Sequence, residues 1–320
     1  MMYVGEVPWH RLGTALKNPA TAAEAIHAAS LDWEVVKRPL FFEHGSTMQP
    51  VLNRFGVVRD DLLKRPGPMP VLGIVGAEYK PLQNRDAFQW FDPIVGEGKA
   101  IYHTAGALGD GERVWILAKL PDNIQVIGDD IAEKFLLLSN SHDGSSSVQV
   151  KFTPIRVVCQ NTLTMALNQG RGIRIPHNRN LAERLVSARD ALGIIEKRFE
   201  EITTDFQRIA KTQINTDRLN LYLTKVFPTP SNPEDERAMS RVQQARNEST
   251  RLFTEGMGNS QLPMRGTLWA AYNGIAEYVD HAMNYRNADR RLDAIWFGSG
   301  YLSKARAFRI AIENAEAWKN

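Results

Sequence analysis

The chain has 320 residues, of which 43% are hydrophobic and 23% charged, a composition typical of globular domains that rules out wholesale disorder. Its 39 basic and 36 acidic residues leave a formal net charge of +3, too small to require a nucleic-acid partner by itself. The single cysteine, Cys159, excludes an intramolecular disulfide framework and a cysteine-based metal cluster. No secretion-signal pattern opens the sequence, and no apolar run approaches the roughly 20 residues of a membrane helix, so we expect a cytoplasmic, soluble protein.

The first 70 residues read as a mixed and partly irregular region. Thr21 and Glu24 have the spacing of a capping box and predict a short helix after Thr21. Prolines between residues 65 and 70 mark a turn or linker. Asn84 is placed to cap a further helix, which glycines from Gly96 onward end.

Strand patterns dominate from residue 71 to residue 152. Two β-like segments, 99–108 and 113–120, flank a Gly-Asp-Gly sequence and predict a hairpin. Apolar residues at 135–139 and alternating apolar residues at 148–152 predict two more strands. Pro154 is then predicted to open a helix, so the order is that of an antiparallel sheet with a helix packed on one face, a β-β-β-α-like core.

The C-terminal half has helical periodicity. Nine apolar residues from Leu181 to Ile209 follow one another at alternating spacings of four and three, which predicts one long heptad helix. Later helices are predicted near 219–226, 232–256, 269–283 and 303–318. We therefore predict an α+β fold organised as a mixed N-terminal region (1–70), a sheet-containing core (71–175) and a helical region (176–320).

The common catalytic and nucleotide-binding motifs are missing from the sequence. It contains no P-loop, no GxGxxG after a strand, no GxSxG elbow, no HExxH and no CxxC. The usual ATPase, dehydrogenase, hydrolase and zinc-protein readings therefore have no sequence support, and we expect no cofactor.

Two acidic or histidine-containing clusters are weak candidates for chemistry. His142 and Asp143 could act as a general base or metal ligands, although a turn is the simpler reading because a glycine follows them. Asp129 and Asp130 could bind a divalent cation, or they could mark the start of a helix. Cys159 lies in an apolar run and is expected to be a buried, inert thiol.

Basic and amide side chains bracket the predicted sheet and helix. Arg156 and Gln160 have the spacing of one helix face, and Arg suits phosphate whereas amides suit bases or sugars. Lys151 precedes them, and Asn161, Arg171 and Arg174 follow. Such a set could track a phosphate backbone, or it could be a polar network that holds the helix to the sheet.

Four segments, 73–98, 105–121, 136–167 and 266–281, resemble the phage/plasmid-like proteins called domain of unknown function 932. The resemblance implies a phage, prophage or plasmid origin and a bacterial host, and it leaves the activity open. The polar residues of this family that occur here are Asn140, His142, Asp143, Arg156, Cys159, Gln160 and Asn161.

A second resemblance is architectural. The predicted order of strands and helix is similar to that of Rad52- and Red-beta-type single-strand annealing proteins, which form rings or filaments around single-stranded DNA. This resemblance implies an ATP-independent, homo-oligomeric protein that binds and anneals single-stranded DNA. The expected DNA contacts are Lys151, Arg156, Gln160, Asn161, Arg171 and Arg174.

Two alternatives stay open at this point. One is a metal-dependent enzyme acting on nucleic acid or nucleotide, centred on His142 and Asp143, with Asp129 and Asp130 as candidate metal ligands. The other is a protein that antagonises a host defence system by contacting a host protein through the long heptad helix.

Overall fold

The computed structural model describes most of the chain as two compact units, each assembled from separate segments. Unit 1 contains residues 1–121, 135–152 and 171–193, and unit 2 contains residues 122–134, 153–170 and 194–320. The units interleave along the chain, whereas the predicted regions, 1–70, 71–175 and 176–320, are consecutive. The described residues are 1–5, 12–63, 66–96, 100–159, 161–162, 173–178, 180–184, 194–232 and 234–318.

A largely antiparallel sheet forms the centre of unit 1, although its strand residues 122–127 and 130–134 belong to unit 2. Its strands, in the order in which they lie side by side, are β11 (Ile173–Ile175), β9 (Val148–Phe152), β8 (Asp130–Ser141), β7 (Arg113–Ile127), β6 (Ile101–Leu108), β1 (Met2–Val4) and β2 (Thr14–Leu16). Strands β1 and β2 pair in parallel, whereas β1 with β6, β6 with β7, β8 with β9 and β9 with β11 pair antiparallel. Within β7, Trp115, Ile116 and Leu117 are all fully buried, so both faces of the central sheet are covered.

The predicted hairpin and both later strands are confirmed. Strands β6 and β7 pair from Leu108 opposite Arg113 outward. Gly109 and Gly111 adopt positive φ angles in the turn between them, a conformation that glycine reaches without steric cost.

Two helices belong to unit 1. Helix α1 (Ala22–Ala28) begins with the predicted Thr21 and Glu24 capping box. Helix α2 (Asn84–Gly96) packs Phe88 against Tyr102 of β6, with 5.4 Å between the ring centroids. These contacts fix α2 on the sheet.

A second, three-stranded sheet also lies in unit 1. Its strands are β3 (Val35–His44), β4 (Thr47–Arg59) and β5 (Gly73–Gly76), and β4 lies in the middle. Val57 of β4 and Val75 of β5 are buried. The hairpin end of β3 and β4 is mostly exposed.

Unit 2 is mainly helical, as predicted. Its described helices are α3 (Ile194–Lys211), α4 (Thr216–Val226), α5 (Glu236–Glu255), α6 (Leu268–Glu277), α7 (Ala288–Trp296) and α8 (Ser299–Ala317), with a π-helical turn at Tyr278–Ala282. No helix in the described part of the chain is both long enough and apolar enough to span a membrane.

The long amphipathic helix is present as α3. It buries Phe199, Ile202, Phe206 and Ile209, and Phe206 packs on Trp269 at 4.8 Å between ring centroids. Residues 181–184 are also helical, and the part of the predicted heptad pattern at 185–193 lies outside the described residues.

The prediction of a helix that begins at Pro154 is wrong for the first residues of that helix. Ile155 and Arg156 form a short strand, β10, that pairs with Glu133 and Ala132 of β8, and a turn follows at 157–159. Val157 and Val158 are 42% and 36% exposed, so the apolar residues there do not form the buried face of a helix. Residues 163–172 lie outside the described part of the chain.

Candidate nucleic-acid interface

Three basic residues come from different strands of the large sheet in unit 1. Lys151 lies on β9, and Arg174 lies on β11 opposite Gln149 of β9. Since Gln149 and Lys151 are two residues apart on one strand, their side chains share a face, and Arg174 belongs to the same face. Arg113 is the first residue of β7. We call Lys151, Arg174 and Arg113 the cationic face.

The three positive charges are close enough to influence one another. The pKa of Lys151 is lowered to about 8, mainly by burial and then by the charges of Arg174 and Arg113. Arg174 is exposed, and Arg113 Nη2 donates to Ser145 Oγ at 3.4 Å. Like charges held together in this way repel one another, so an anion would relieve the repulsion.

His142 lies just past the end of β8 and is fully buried in unit 1. Its Nε2 is 3.1 Å from Asn84 Oδ1. Asn84 donates its amide hydrogens to Leu31 and Trp33 carbonyls, so its Oδ1 is an acceptor, and Asn140 Nδ2 lies 3.4 Å from the same Nε2. Burial is the main cause that lowers the pKa of His142 to about 3. His142 therefore joins the start of α2 to the sheet as a neutral imidazole.

Asp143 organises the turn after β8. Its Oδ1 accepts hydrogen bonds from Ser141 Oγ and, at 2.8 Å, from the Ser145 amide. Burial raises the pKa of Asp143, but these hydrogen bonds and Arg113 outweigh it, and the net pKa is lowered. The arrangement agrees with the interpretation that His142 and Asp143 lie in a turn.

Arg156 is located in unit 2 rather than with the cationic face. Its side chain is fully buried, and its Nε donates to Asp130 Oδ1 at 2.8 Å. Its Nη1 donates to Asn259 Oδ1 at 2.9 Å, and Trp269 Nε1 donates to Asp130 Oδ2 at 2.6 Å. The guanidinium is thus occupied by a polar network inside its own unit.

The residues that follow Arg156 continue this internal network. Asn161 is buried and donates to the Asn273 carbonyl at 3.3 Å. Thr162 donates to Asp280 Oδ2 through its amide, at 2.7 Å. Lys304 Nζ also donates to Asp280 Oδ1 at 2.6 Å, and the side chains of both residues are fully buried.

Cys159 and the two candidate metal ligands have separate environments. Burial is the main cause that raises the pKa of the Cys159 thiol to about 12, the state of an inert thiol. Asp129 is exposed, whereas both carboxylate oxygens of Asp130 accept hydrogen bonds from Arg156. The described residues contain no group of three or more His, Cys, Asp or Glu side chains placed to hold a metal ion.

Two of the predicted contacts, Gln160 and Arg171, lie outside the described residues. Of the remaining four, the structure brings Lys151 and Arg174 together in unit 1 and puts Arg156 and Asn161 in the core of unit 2. Sequence reasoning missed Arg113, since its proximity to Lys151 depends on strand pairing between distant segments.

Comparison with known proteins identifies relatives without a stated activity. A model of the family described as "Domain of unknown function (DUF932)" matches residues 71–296. UPF0380 protein YfjQ of Escherichia coli (strain K12) is 28% identical over 131 residues, which are 41% of this chain and 47% of that protein. UPF0380 protein YafZ of the same organism is 32% identical over 90 residues, 28% of this chain and 32% of that protein. The matches span less than half the length of either relative, and no solved structure matches.

Proposed function

The chain belongs to the family described as Domain of unknown function (DUF932), and on that premise we propose that it binds single-stranded DNA through the cationic face of unit 1. The observation that carries the proposal is the convergence of Lys151 on β9, Arg174 on β11 and Arg113 on β7, three strands of the large sheet. A phosphate backbone is a repeating anion that would neutralise these charges and release counterions. The protein would act in the cytoplasm.

The distribution of charge supports unit 1 as the binding unit. Unit 1 carries 19 basic and 16 acidic residues, and unit 2 carries 20 of each. The formal net charge of +3 therefore belongs to unit 1. An excess of this size steers a polyanion weakly, so local clustering of the cations has to supply most of the affinity.

Annealing without ATP is the second part of the proposal. It is supported by the missing nucleotide-binding motifs and by the order of strands in the antiparallel sheet. A protein that only holds strands extended and lets complementary bases pair needs no bound nucleotide. We propose that it does so as a homo-oligomer, because several copies along one strand would keep a long stretch unpaired.

Charge-neutralising variants of the cationic face test the proposal. We expect the double variant Lys151→Gln/Arg174→Gln to bind a labelled single-stranded oligonucleotide more weakly and with a shallower dependence on salt, because fewer counterions are released. Arg237→Gln, an exposed arginine at the start of α5, is the matched control and should bind as the wild type does. Equal binding and equal salt dependence in all three proteins would refute the proposed interface.

A further inference from the structure

The three-stranded sheet of unit 1 leaves one of its faces uncovered. Phe42 is 50% exposed, Val71 47% and Ile74 62%. The opposite face is covered near β5, where it contains the buried Val57 and Val75, whereas both faces are exposed toward the hairpin end, where Phe41 is 53% exposed. We call the uncovered side the outer face and define it by Arg38, Leu40, Phe42, Arg54, Val71 and Ile74.

Strand register and alternation along β3 place these residues on one side of the sheet. The pairing of β3 with β4 shifts between Pro39 and Phe41, and the irregularity lies on β4, where Asn53 has a positive φ angle, so Phe42 keeps the face of Arg38 and Leu40 on β3. Gly56 pairs with Arg38 of β3 and with Ile74 of β5, so all three point to the same face. A Cβ atom at Gly56 would lie 3.2 Å from the side chains of both Leu40 and Val71. The side chains of Leu40 and Val71 therefore meet over Gly56, with Ile74 opposite Gly56 on β5 and Phe42 two residues beyond Leu40 on β3.

The charge of the outer face has a single sign. Arg38 and Arg54 are both exposed, and Arg54 is two residues from Gly56 on the same strand. Glu43 follows Phe42 on β3 and therefore points to the opposite side of the sheet. The described residues of β3, β4 and β5 on this face include no Asp or Glu.

The outer face is poorly suited to bind a second copy of the chain. A two-fold contact would bring the arginines of both copies together, and like charges at an interface are unfavourable. Addition of a strand along the edge of β3 is also disfavoured. Pro39 has no amide hydrogen to donate, and Gln83 occupies the backbone amide and carbonyl of Val35 at 2.9 and 3.0 Å.

We propose that the outer face binds the bases of single-stranded DNA, with Phe42 stacking on a base and Arg38 and Arg54 contacting the flanking phosphates. The inference rests on the proposed function and adds a second contact region within unit 1. Bases have flat apolar faces that stack on aromatic rings whatever the sequence. A patch that joins an exposed aromatic ring to two unopposed arginines offers both kinds of contact.

Neighbouring phenylalanines provide a matched pair of variants. Phe41 is 53% exposed and points to the opposite side of β3 from Phe42, so Phe41→Ala removes the same ring from the other face. Binding is measured with an oligothymidylate and with an abasic oligonucleotide of equal length, and light scattering gives the mass of each free protein. Thermal melting confirms that both variants fold.

The proposal expects a loss that depends on the bases. Phe42→Ala should bind oligothymidylate about tenfold more weakly with the same salt dependence, and it should bind the abasic strand as the wild type does. Phe41→Ala should match the wild type on both strands. Equal effects of the two variants, or a lower mass for Phe42→Ala alone, would overturn the inference and, in the second case, make the face an interface between copies.

The two proposals fail in different ways. If the wild type binds both oligonucleotides equally well, the outer face does not read bases, and phosphate binding by the cationic face stands. If the wild type binds neither oligonucleotide at low salt, the proposed function fails and the inference fails with it.

Discussion

Arg156 and Asp130 form an ion pair whose two side chains are fully buried within unit 2, with 2.8 Å between Arg156 Nε and Asp130 Oδ1. Removing one member of such a pair leaves an uncompensated charge in a poorly solvated place. The pair therefore belongs to the interior of unit 2 and is not a surface that a ligand can reach.

We expect Arg156→Leu to lower the free energy of unfolding by ~3–5 kcal/mol, because Asp130 would lose its counter-charge. Urea denaturation measures the change. Arg309→Leu is the control, since Arg309 pairs with Glu313 at the surface and exposed pairs contribute less than about 1 kcal/mol. A loss for Arg156→Leu no larger than that of the control would show that the buried pair is not structurally required.

Acidification should destabilise unit 1 through His142. The pKa of His142 is lowered to about 3, mainly by burial, whereas an unfolded histidine titrates near pH 6.5. Below about pH 6.5 the unfolded chain gains a proton that the folded chain does not, so stability falls with pH by up to ~1.4 kcal/mol per unit from this residue. The stability that depends on the neutral imidazole is therefore fully present above pH 6.5 and is lost progressively as the pH falls toward 3.

His142→Asn tests this assignment. The variant should be less stable than the wild type at pH 7, and its unfolding free energy should change less between pH 6.5 and pH 5. Chemical denaturation at a series of pH values gives both slopes. Parallel slopes for variant and wild type would assign the pH dependence to other groups.

Binding of a polyanion should be coupled to proton uptake at Lys151. The lysine has a pKa of about 8 next to Arg174 and Arg113, and a neighbouring phosphate favours its charged form. Near pH 8.5 we expect uptake of a fraction of one proton per site, measured by calorimetry in buffers of different ionisation enthalpy. Lys151→Arg should bind without this uptake because arginine stays protonated, and unchanged uptake in that variant would exclude Lys151 as its source.

Strand β5 offers a stability test of the contact between the two sheets of unit 1. A Cβ atom at Gly73 would lie 2.4 Å from the backbone of Asp143, whereas one at Gly76 would meet nothing within 4 Å. We expect Gly73→Ala to cost at least ~1–3 kcal/mol, the usual range for overpacking. Gly76→Ala should change stability by less than about 0.5 kcal/mol, and equal effects of the two substitutions would contradict the close approach.

The sequence predicts the local features of this fold well. The capping box at Thr21 and the Gly-Asp-Gly hairpin depend on residues close in the chain, so their signals are complete within a few positions. The helix predicted after Pro154 failed because Ile155 and Arg156 obtain their hydrogen-bond partners from β8. Apolar spacing alone does not record that pairing.

The candidate site was only partly predictable for the same reason. Lys151 and Arg174 were both identified because they bracket the predicted helix in the sequence. Arg113 lies near Lys151 because strands that are distant in the sequence belong to one sheet. Asp130 pairs with Arg156, which is 26 residues away in the sequence. The outer face was not predicted, because the exposure of Phe42 and Ile74 depends on which surfaces the rest of the chain packs against.

The most direct test of single-stranded DNA binding compares wild-type affinities for single- and double-stranded oligonucleotides between about 50 and about 200 mM salt. We predict tighter binding of the single strand, with an affinity that falls steeply as salt increases. Absence of binding at the lowest salt, or affinities that do not respond to salt, would contradict the proposed function.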